Sequence, residues 1–307
     1  MVYHTKEPSV VIIQTHDLSV YYGSHRGIKD VNLAVEQGEV FGFLGPNGAG
    51  KTTTQRVLLD IIRPTRGSAQ VFGMDCQQEG VAIRERVGYL PGELSLYPTM
   101  RGQAFLDLLA SMRPDPVDPA YRQELVERLN LDPSRRMKEY SRGNKQKIGI
   151  VAAFMPRPDL LILDEPTSGL DPLMQQVVME LVLEAKAEGR TVFFSSHILP
   201  EVQAVCDRVG IIRDGELIAT ERVEALTEQQ FKRVRLTLRD TPPTDAFTLE
   251  GVTETDRTDN TVRLEVTTGL EAAMQQALTY GLLDIDTLPV TLEEIFMAYY
   301  SEEQTHA

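Results

Sequence analysis

The sequence predicts an α/β core with a mainly parallel sheet, followed by a small α+β domain. Short apolar runs such as Val40–Leu44 and Leu160–Leu163 alternate with segments of helical pattern, as expected for parallel strands covered by helices on both faces. Towards the C-terminus the pattern changes to half-buried strands of alternating polarity. We therefore predict a first domain over residues 10–226, with a helical subdomain at about 93–155, and a second domain over residues 227–307.

Three short strands are predicted ahead of a glycine-rich segment. Apolar and β-branched residues place them at Val10–Gln14, Leu18–Tyr22 and Val31–Val35. A fourth strand, Val40–Leu44, runs directly into GPNGAGKTT, after which Gln55–Ile62 has the spacing of a helix. The glycines therefore lie in a turn between a strand and a helix.

The rest of the chain continues the alternation of strands and helices. Residues 100–154 are rich in helical pattern and are interrupted by PDPVDPAYR and LDPSRR. The dipeptide Asp214-Gly215 between two apolar runs is a strong hairpin signal. The further elements are predicted, in order, at Leu160–Leu163, Val177–Glu188 (helix), Thr191–Ser196, Val209–Arg213, Glu216–Thr220, Val234–Leu238, Val262–Val266, Leu270–Tyr280 (helix) and Leu292–Tyr300 (helix).

The composition is that of a globular protein and disfavours nucleic-acid binding. Hydrophobic residues make up 42% of the 307 residues, enough for a sizeable core. The net charge of −14 is unfavourable because nucleic-acid binders neutralise phosphates with Lys and Arg. Cys76 and Cys206 lie far apart and predict reduced thiols rather than a disulfide framework or a zinc site. A signal-peptide pattern is missing and no apolar run approaches the ~18 residues of a membrane span, so we expect a soluble cytoplasmic chain.

The segment Gly45–Thr52 fits the pattern G-x-x-x-x-G-K-[ST] of a phosphate-binding P-loop. Glycines let backbone N–H groups converge on phosphate oxygens, and the following helix adds the partial positive charge of its N-terminus. In this arrangement the ammonium group of Lys51 reaches the β- and γ-phosphates, and the hydroxyl group of Thr52 is a ligand of Mg²⁺. The flanking strand and helix disfavour a chance glycine-rich turn, so we predict that the chain binds a nucleoside triphosphate.

Two adjacent acidic residues follow the predicted strand Leu160–Leu163. The strand delivers Asp164 to the edge of the sheet, where its carboxylate could hold the water shell of a metal ion. Glu165 is placed beside it to orient or activate an attacking water molecule. Two acids after a buried strand are common by themselves, and the P-loop is what makes this pair specific.

Together, GPNGAGKTT, YSRGNKQK, LLILDEP, SGLD and His197 resemble the nucleotide-binding domain of an ABC transporter. The resemblance implies a P-loop NTPase core of the ABC type with a helical subdomain, binding of ATP and Mg²⁺, and ATP hydrolysis. It implies catalytic roles for Glu165, His197 and Lys51, and a metal site at Thr52 and Asp164. The residues that it assigns to the nucleotide are Tyr22, which would stack on adenine, the Walker A residues Gly45, Pro46, Asn47, Gly48, Ala49, Gly50, Lys51, Thr52 and Thr53, the signature residues Ser141, Arg142, Gly143 and Asn144, and Asp171 of the D-loop Ser168–Asp171.

These assignments have simpler alternatives, and Ser168–Asp171 by itself would be an ordinary turn. Tyr22 could be an ordinary strand aromatic like its neighbour Tyr21, and His197 could be a core histidine at the end of a strand. The position of Tyr22 immediately before a glycine, and that of His197 immediately after VFFSS, agree with the family pattern and favour the functional roles.

The segment YSRGN occupies the place of the family signature, usually written LSGGQ, and departs from it. Arg142 replaces the first glycine and Asn144 replaces the glutamine, while Ser141 and Gly143 are retained. In this family the signature closes over the nucleotide held by the opposite subunit. The resemblance therefore implies a second ATP-binding subunit, identical or paralogous.

A further departure from the family pattern lies in the segment GYLPGELSLYP. Gly92 stands where a glutamine metal ligand is usual in the family, and Glu93 follows it. We expect Glu93 to take over at the metal or to couple to the membrane partner. The alternative is an exposed acid in a turn.

The segments YLPGELSLYPTM, YSRGNKQK and PVTLEEIFMAYY resemble the ATP-binding subunits of ABC-2-type exporters, which include antibiotic-resistance pumps. This resemblance implies a separate polytopic permease as partner, a location at the cytoplasmic face of the membrane, and no nucleic-acid partner. Two alternatives stay open: a soluble ABC ATPase acting on DNA, ribosomes or protein assembly, and a module that binds ATP without hydrolysing it. The C-terminal domain could regulate the subunit, help it to dimerise or act as a stabilising lid.

Overall fold

The computed structural model describes residues 10–94, 97–228 and 232–288 of the chain. The chain divides into two compact units, residues 1–223 and 224–307. Within the described ranges no helix is both long enough and apolar enough to cross a membrane. The helix predicted at Leu292–Tyr300 lies outside them.

The first unit alternates strands and helices along most of its length. Its strands are β1 (Val11–Tyr22), β2 (His25–Val31), β3 (Ala34–Glu36), β4 (Val40–Leu44), β5 (Arg66–Val71), β6 (Met74–Asp75), β7 (Val87–Leu90), β8 (Leu160–Asp164), β9 (Thr191–Ser196), β10 (Arg208–Arg213) and β11 (Glu216–Arg222). Its helices are α1 (Lys51–Leu58), α2 (Gly80–Glu85), α3 (Gly102–Ser111), α4 (Pro119–Arg128), α5 (Arg142–Phe154), α6 (Pro172–Ala187) and α7 (Leu199–Val205), with a 3₁₀ turn at Met137–Glu139. A further helix, α8 (Val223–Glu228), contains the boundary between the units.

A sheet in the order β11-β10-β4-β9-β8-β7 forms the centre of the first unit. The strands from β10 to β7 are parallel, whereas the edge strand β11 is antiparallel to β10. Every residue of β4, β8 and β9 is buried, which explains the apolar runs that they contain. Phe41 and Phe43 of β4 pack on Phe193 of β9, with ring centroids 5.9 and 5.3 Å apart. The predicted α/β core with a mainly parallel sheet is confirmed.

A second sheet, in the order β2-β1-β5-β6 with β3 also paired to β1, contains the N-terminal strands. The segments predicted as two strands at Val10–Gln14 and Leu18–Tyr22 form the single strand β1, with Asp17 in a left-handed conformation at φ 46°. The strand predicted at Val31–Val35 is wrong. The chain leaves the ladder between β2 and β3, where the side chain of Asn32 accepts a hydrogen bond from the N–H group of Asp17.

A helical region lies between β7 and β8 in the chain. Helix α5 packs on β7 at the edge of the central sheet, and α3 and α4 pack on α5. The apolar face of α5 buries Ile148, Val151 and Phe154. Gly149 allows close approach, because a Cβ there would lie 2.7 Å from a methyl carbon of Leu90. The start of α5 is therefore held at a definite position relative to the central sheet.

The second unit combines an antiparallel sheet with a helix. Its elements are β12 (Lys232–Leu238), β13 (Val252–Thr258), β14 (Thr261–Val266), α9 (Leu270–Thr279) and β15 (Leu282–Leu288). The strands are ordered β13-β14-β12-β15 and pair antiparallel throughout. Leu236, Phe247, Leu264 and Ala273 belong to its own buried core. The α+β class predicted for this part of the chain is confirmed.

Candidate active site

The carboxyl ends of neighbouring parallel strands meet at one edge of the central sheet. Strand β9 pairs with β4 on one side, where Leu44 is opposite Ser196, and with β8 on the other, where Asp164 is opposite Ser195. Gly45, Glu165 and His197 follow the ends of these strands directly. The three residues therefore leave the sheet side by side, at the edge where α/β proteins bind their ligands.

The backbone of the P-loop requires its glycines. Gly48 and Gly50 have φ angles of 82° and 108°, which side chains disfavour. A Cβ on Gly45 would lie 2.2 Å from the carbonyl oxygen of Ile212, so only glycine fits there. Helix α1 begins at Lys51, directly after the left-handed Gly50, and thus starts ahead of the helix predicted at Gln55–Ile62. Its N-terminus faces the loop, as phosphate binding needs.

Lys51 is a buried cation with 5% of its surface exposed. Its Nζ donates hydrogen bonds to the carbonyl oxygens of Gly45 at 2.7 Å and Pro46 at 3.1 Å, and it lies 3.4 Å from Oε1 of Glu165. Burial lowers the pKa of Lys51, and the charge of Glu165 opposes this effect. An ammonium group that has lost water in this way gains strongly from an anionic ligand, which fits phosphate.

The carboxylate of Asp164 is held by two hydroxyl groups. Thr52 donates to Oδ2 at 2.7 Å, Ser195 donates to Oδ1 at 2.6 Å, and Asp164 is 2% exposed. Gly92 approaches the same carboxylate, since a Cβ there would lie 3.0 Å from Oδ2. The pKa of Tyr89 is raised to about 12, mainly by burial and to a smaller extent by the negative charge of Asp164. Thr52 and Asp164 are thus adjacent oxygen donors beside the P-loop.

Glu165 combines an unusual backbone with a central position. Its φ of 48° is left-handed, a conformation that costs energy for a residue with a side chain. The N–H group of Glu165 donates to the carbonyl oxygen of Ser195 at 3.1 Å, and this hydrogen bond holds the backbone of Glu165 in that conformation. Oε1 lies 3.1 Å from Nδ1 of His197 and 3.4 Å from Nζ of Lys51. The side chain is 24% exposed, so water can reach the carboxylate.

A cavity of about 300 Å³ opens over the P-loop. Tyr22 forms part of its wall and is 49% exposed, whereas Tyr21 does not line it, which supports the assignment of Tyr22. Arg26 and Gly27 are lining residues that the sequence reasoning missed, and their only signal is their place just after Tyr22. The lining residues are Tyr22, Arg26, Gly27, Asn47, Gly48, Gly50, Lys51, Thr52, Thr53 and Glu165.

These groups fit a nucleoside triphosphate with Mg²⁺. The glycine-rich loop and the buried cation suit phosphates, and the exposed aromatic ring suits a base. In the part of the chain that the structure describes, no group of three His, Cys, Asp or Glu side chains could hold a metal. Thr52 and Asp164 would therefore hold Mg²⁺ together with phosphate oxygens, which is usual for this ion.

The signature segment forms the start of α5. Ser141 is its N-cap and accepts a hydrogen bond from the N–H group of Asn144 at 3.2 Å. Arg142 donates to the hydroxyl group of Ser168 at 2.8 Å, and Gly143 packs against Gly169 of the D-loop. Among the described residues that line the P-loop cavity, none comes from 141–144. The chain does not bring its signature to its own P-loop.

Asp171 and Glu93, which were also predicted as site residues, do not line the cavity. Asp171 is the N-cap of α6, where its Oδ1 accepts a hydrogen bond from the N–H group of Met174 at 3.1 Å. Glu93 is exposed in the segment after β7, and the preceding Gly92 is in contact with Asp164. A metal role for Glu93 stays a prediction.

Two buried polar residues that the sequence reasoning missed support the site from behind. Ser195 binds Asp164 with its hydroxyl group, and its backbone holds Glu165. Gln146 of α5 donates from Nε2 to the carbonyl oxygens of Glu165 and Pro166, each at 3.1 Å. Their only sequence signals are their places inside VFFSSH and YSRGNKQK, which say nothing about the partners.

Glu201 of α7 is another residue that the sequence did not reveal. Its carboxylate accepts hydrogen bonds from the hydroxyl groups of Thr167 and Ser196, both at 2.5 Å. Thr167 follows the catalytic candidate Glu165, and Ser196 precedes His197. Glu201 therefore connects the two strand ends that carry the acid and the histidine.

Comparison with known proteins agrees with this geometry. A family model described as ABC transporter matches residues 28–168. The uncharacterized ABC transporter ATP-binding protein YcbN of Bacillus subtilis is 30% identical, over 93% of this chain and 96% of that protein. The chain belongs to the ABC transporter family. Its recognition as an ATP-binding protein of this family is confirmed.

Other ABC relatives point to transport ATP-binding proteins. The bacitracin transport ATP-binding protein BcrA of Bacillus licheniformis is 36% identical over 75% of this chain and 76% of BcrA. The linearmycin resistance ATP-binding protein LnrL of Bacillus subtilis is 35% identical over 68% of each chain. The protein all4389 of Nostoc is 41% identical over 66% of this chain. The chain spans 62% of the length of all4389, and 62% of the Synechocystis protein sll0415.

Solved structures confirm the ABC-type fold. A structure described as the ATP binding subunit of an ABC transporter aligns with a TM-score of 0.65 at 30% identity, over 71% of this chain and 92% of that chain. The bacterial ABC transporter cassette MJ0796 aligns with a TM-score of 0.64 at 22% identity, over 69% of this chain and 99% of that chain, and supports the fold alone.

Proposed function

We propose that this chain is the ATP-hydrolysing subunit of an ABC-2-type exporter and powers transport through a separate membrane subunit. The proposal rests on the position of Glu165, whose carboxylate lies between Lys51 of the P-loop and His197 of the neighbouring strand end. A module that only binds ATP does not need an acid placed to orient water, so the geometry favours hydrolysis. The relatives named for bacitracin transport and linearmycin resistance support the exporter class.

Each group of the site has a defined part in the hydrolysis. The N–H groups of the P-loop and the ammonium group of Lys51 bind the phosphates. Glu165 orients a water molecule and accepts its proton while the water oxygen attacks the γ-phosphorus, and the bond to the β–γ bridging oxygen breaks. His197 holds the carboxylate of Glu165 in place. When bound by Thr52 and Asp164, Mg²⁺ supplies positive charge that stabilises the phosphate oxygens.

The proposed working unit is a pair of ATP-binding subunits. The signature lies outside the chain's own nucleotide cavity, yet the exposed Ser141 and the N-terminus of α5 suit a phosphate ligand. Glu165→Gln with Mg²⁺-ATP should form a dimer in light scattering, because binding persists while hydrolysis stops. Glu124→Gln, an exposed change on α4, is the control that should stay monomeric. A monomeric Glu165→Gln chain, even with every subunit that co-purifies, would refute the pairing.

The proposed contact of the membrane subunit is an apolar groove of about 440 Å³ on the first unit, bordered by α2, α3 and α5. Ile61, Val81 and Met112 expose 52, 67 and 71% of their surface there, and such patches mark binding surfaces. Tyr89 of β7 also lines the groove and lies near Asp164. A subunit docked in the groove is thus close to the nucleotide site.

The groove is tested by substitution. Val81→Asp and Met112→Asp should reduce co-purification of the membrane subunit without lowering the ATPase rate of the isolated chain. Leu173→Asp is the control, because Leu173 is 73% exposed on α6, away from the groove. Equal recovery of the membrane subunit with all three variants would refute this docking site.

The proteins that co-purify with the chain test the proposed function. The tagged chain is recovered from its native cell with mild detergent, and its stoichiometric partners are identified. A polytopic membrane protein is the expected result. Recovery with ribosomal, nucleic-acid or soluble partners instead would favour the soluble ABC ATPase and refute the exporter.

A further inference from the structure

We propose that Arg142 is a positioning residue, which fastens the D-loop of its own chain to the start of α5 and thereby positions Glu165. The inference rests on the proposed function, because it concerns the same ATPase site. Arg142 stands where the family signature has a glycine, and a glycine has no side chain to make such a contact.

Arg142 contacts the D-loop with both its head group and its aliphatic part. Nη2 donates a hydrogen bond to the hydroxyl group of Ser168 at 2.8 Å. Cγ, Cδ and Nε pass over Gly169, because a Cβ there would lie 3.2 to 3.3 Å from each of them. Gly169 has a φ of 75°, so glycine serves both the turn and the passage of the arginine.

The same end of α5 makes two further contacts with the segment that leads from Glu165 to the D-loop. The backbone of Gly143 approaches Gly169 so closely that a Cβ would lie 2.9 Å from its carbonyl oxygen. Gln146 donates to the carbonyl oxygens of Glu165 and Pro166. The segment is therefore attached to α5 at both of its ends.

The charge of Arg142 indicates that this contact has a purpose beyond helix stability. A cation in the first turn of a helix opposes the helix dipole. Among the described residues no carboxylate forms an ion pair with the guanidinium group, whose hydrogen-bond partner is the neutral hydroxyl group of Ser168. The positive charge of Arg142 at this position is unfavourable for the stability of α5. The favourable contribution of the side chain is therefore its contact with the D-loop.

The consequence is a connection within one chain between the signature and the catalytic carboxylate. When the signature engages a nucleotide on another subunit, any displacement of the first turn of α5 reaches the D-loop through Arg142 and reaches Glu165 through Gln146. The connection therefore couples two nucleotide sites: the partner's site, which the signature of this subunit covers, and the subunit's own site, which contains Glu165.

Hydrogen exchange of the isolated, nucleotide-free chain tests the attachment without requiring hydrolysis or pairing. In Arg142→Ala the amides of residues 167–170 should exchange about fivefold faster, which corresponds to ~1 kcal/mol, while those of the P-loop stay unchanged. Arg142→Lys should restore part of the protection, because an ammonium group reaches the hydroxyl without the planar fork. Ser168→Ala should also speed exchange there, because it removes the acceptor of the Arg142 hydrogen bond, and the double variant should exchange no faster than Arg142→Ala.

Lys145→Ala is the matched control, because it removes the same charge from the same end of α5. Its exchange over residues 167–170 should equal that of the unmodified chain. Exchange in Arg142→Ala that is no faster than in this control overturns the proposal.

Mixed pairs then show on which subunit Arg142 acts. Each pair contains one Glu165→Gln chain and one chain with Glu165. Arg142→Ala in the chain with Glu165 should lower kcat with KM for ATP unchanged, and in the Glu165→Gln chain it should have no effect. The reverse result would place Arg142 at the partner's nucleotide and overturn the proposal. A chain without any ATPase activity refutes the proposed function instead, and hydrogen exchange still decides the attachment.

Discussion

Replacing Gln146 with Met should lower the free energy of unfolding of the first unit by about 2 kcal/mol. Gln146 is 6% exposed, and its Nε2 donates to the carbonyl oxygens of Glu165 and Pro166, each at 3.1 Å. Methionine has a similar volume, so the packing changes little and the loss is that of two hydrogen bonds of ~1 kcal/mol each. The carbonyl group of Glu165 keeps the N–H group of Ser168 as a donor after the change.

Urea titration with pulsed alkylation of Cys206 measures this change in the first unit alone. Cys206 is buried there, so its thiol reacts only when the unit opens. With a slope of about 2 kcal/mol per molar urea, the expected loss lowers the midpoint by about 1 M. Gln123→Met is the matched control, because that amide bonds Glu127 on the exposed face of α4, and its effect should stay within ~0.5 kcal/mol.

The same variant reports on the site. Because Gln146 holds the backbone of Glu165, its loss should lower kcat by about tenfold or more, since small displacements of a catalytic group are costly, and should leave KM for ATP unchanged. Equal urea midpoints for Gln146→Met and Gln123→Met would refute the reasoning. Such a result would mean that the two hydrogen bonds contribute nothing to the folded state.

Three further predictions concern buried polar groups. Burial raises the pKa of Glu39, so its contribution to stability is fully present below pH 4.5 and is lost as the pH rises through the raised pKa. Glu39→Gln should flatten this decline of the unfolding free energy with pH, measured by urea titration. An unchanged decline would contradict the prediction. Burial raises the pKa of the Cys76 thiol to about 12 and that of Cys206 well above its usual range. Neither thiol should react with iodoacetamide at about pH 8 in the native chain, and a labelled mass in mass spectrometry would show otherwise. Gln55 is fully buried on α1, and no group of the described residues bonds its amide, so Gln55→Met should raise Tm by ~2 to 4 °C in a thermal scan. A lower Tm would mean that the amide is satisfied.

The P-loop and the buried strands could be predicted because their physical reasons are local. GPNGAGKTT carries glycines at the positions whose backbone is left-handed or tightly packed. The apolar runs of β4 and β8 are continuous because both faces of the sheet are covered. Patterns of this kind are readable from a few adjacent residues.

Elements whose definition depends on a partner were harder to predict. The short strands Arg66–Val71 and Val87–Leu90 were not predicted, since their main partners, β1 and β8, lie far away in the chain. The strand predicted at Val31–Val35 failed because side-chain hydrogen bonds of Asn32 and Thr15 to the backbone interrupt the ladder at residues 32 and 33. Strand pairing is settled by tertiary contacts, and propensity alone gives no partner.

The sequence by itself determined the α/β class, the P-loop, the acidic pair and the family resemblance, because each depends on adjacent residues. Only the tertiary structure decided that Glu165 lies between Lys51 and His197, since strand order brings those positions together. It also decided that Arg142 meets the D-loop and that Gln146 holds the backbone of Glu165. The physical reason is the same in each case: these contacts join side chains from elements that meet only when the core packs, and no local pattern records which elements will meet.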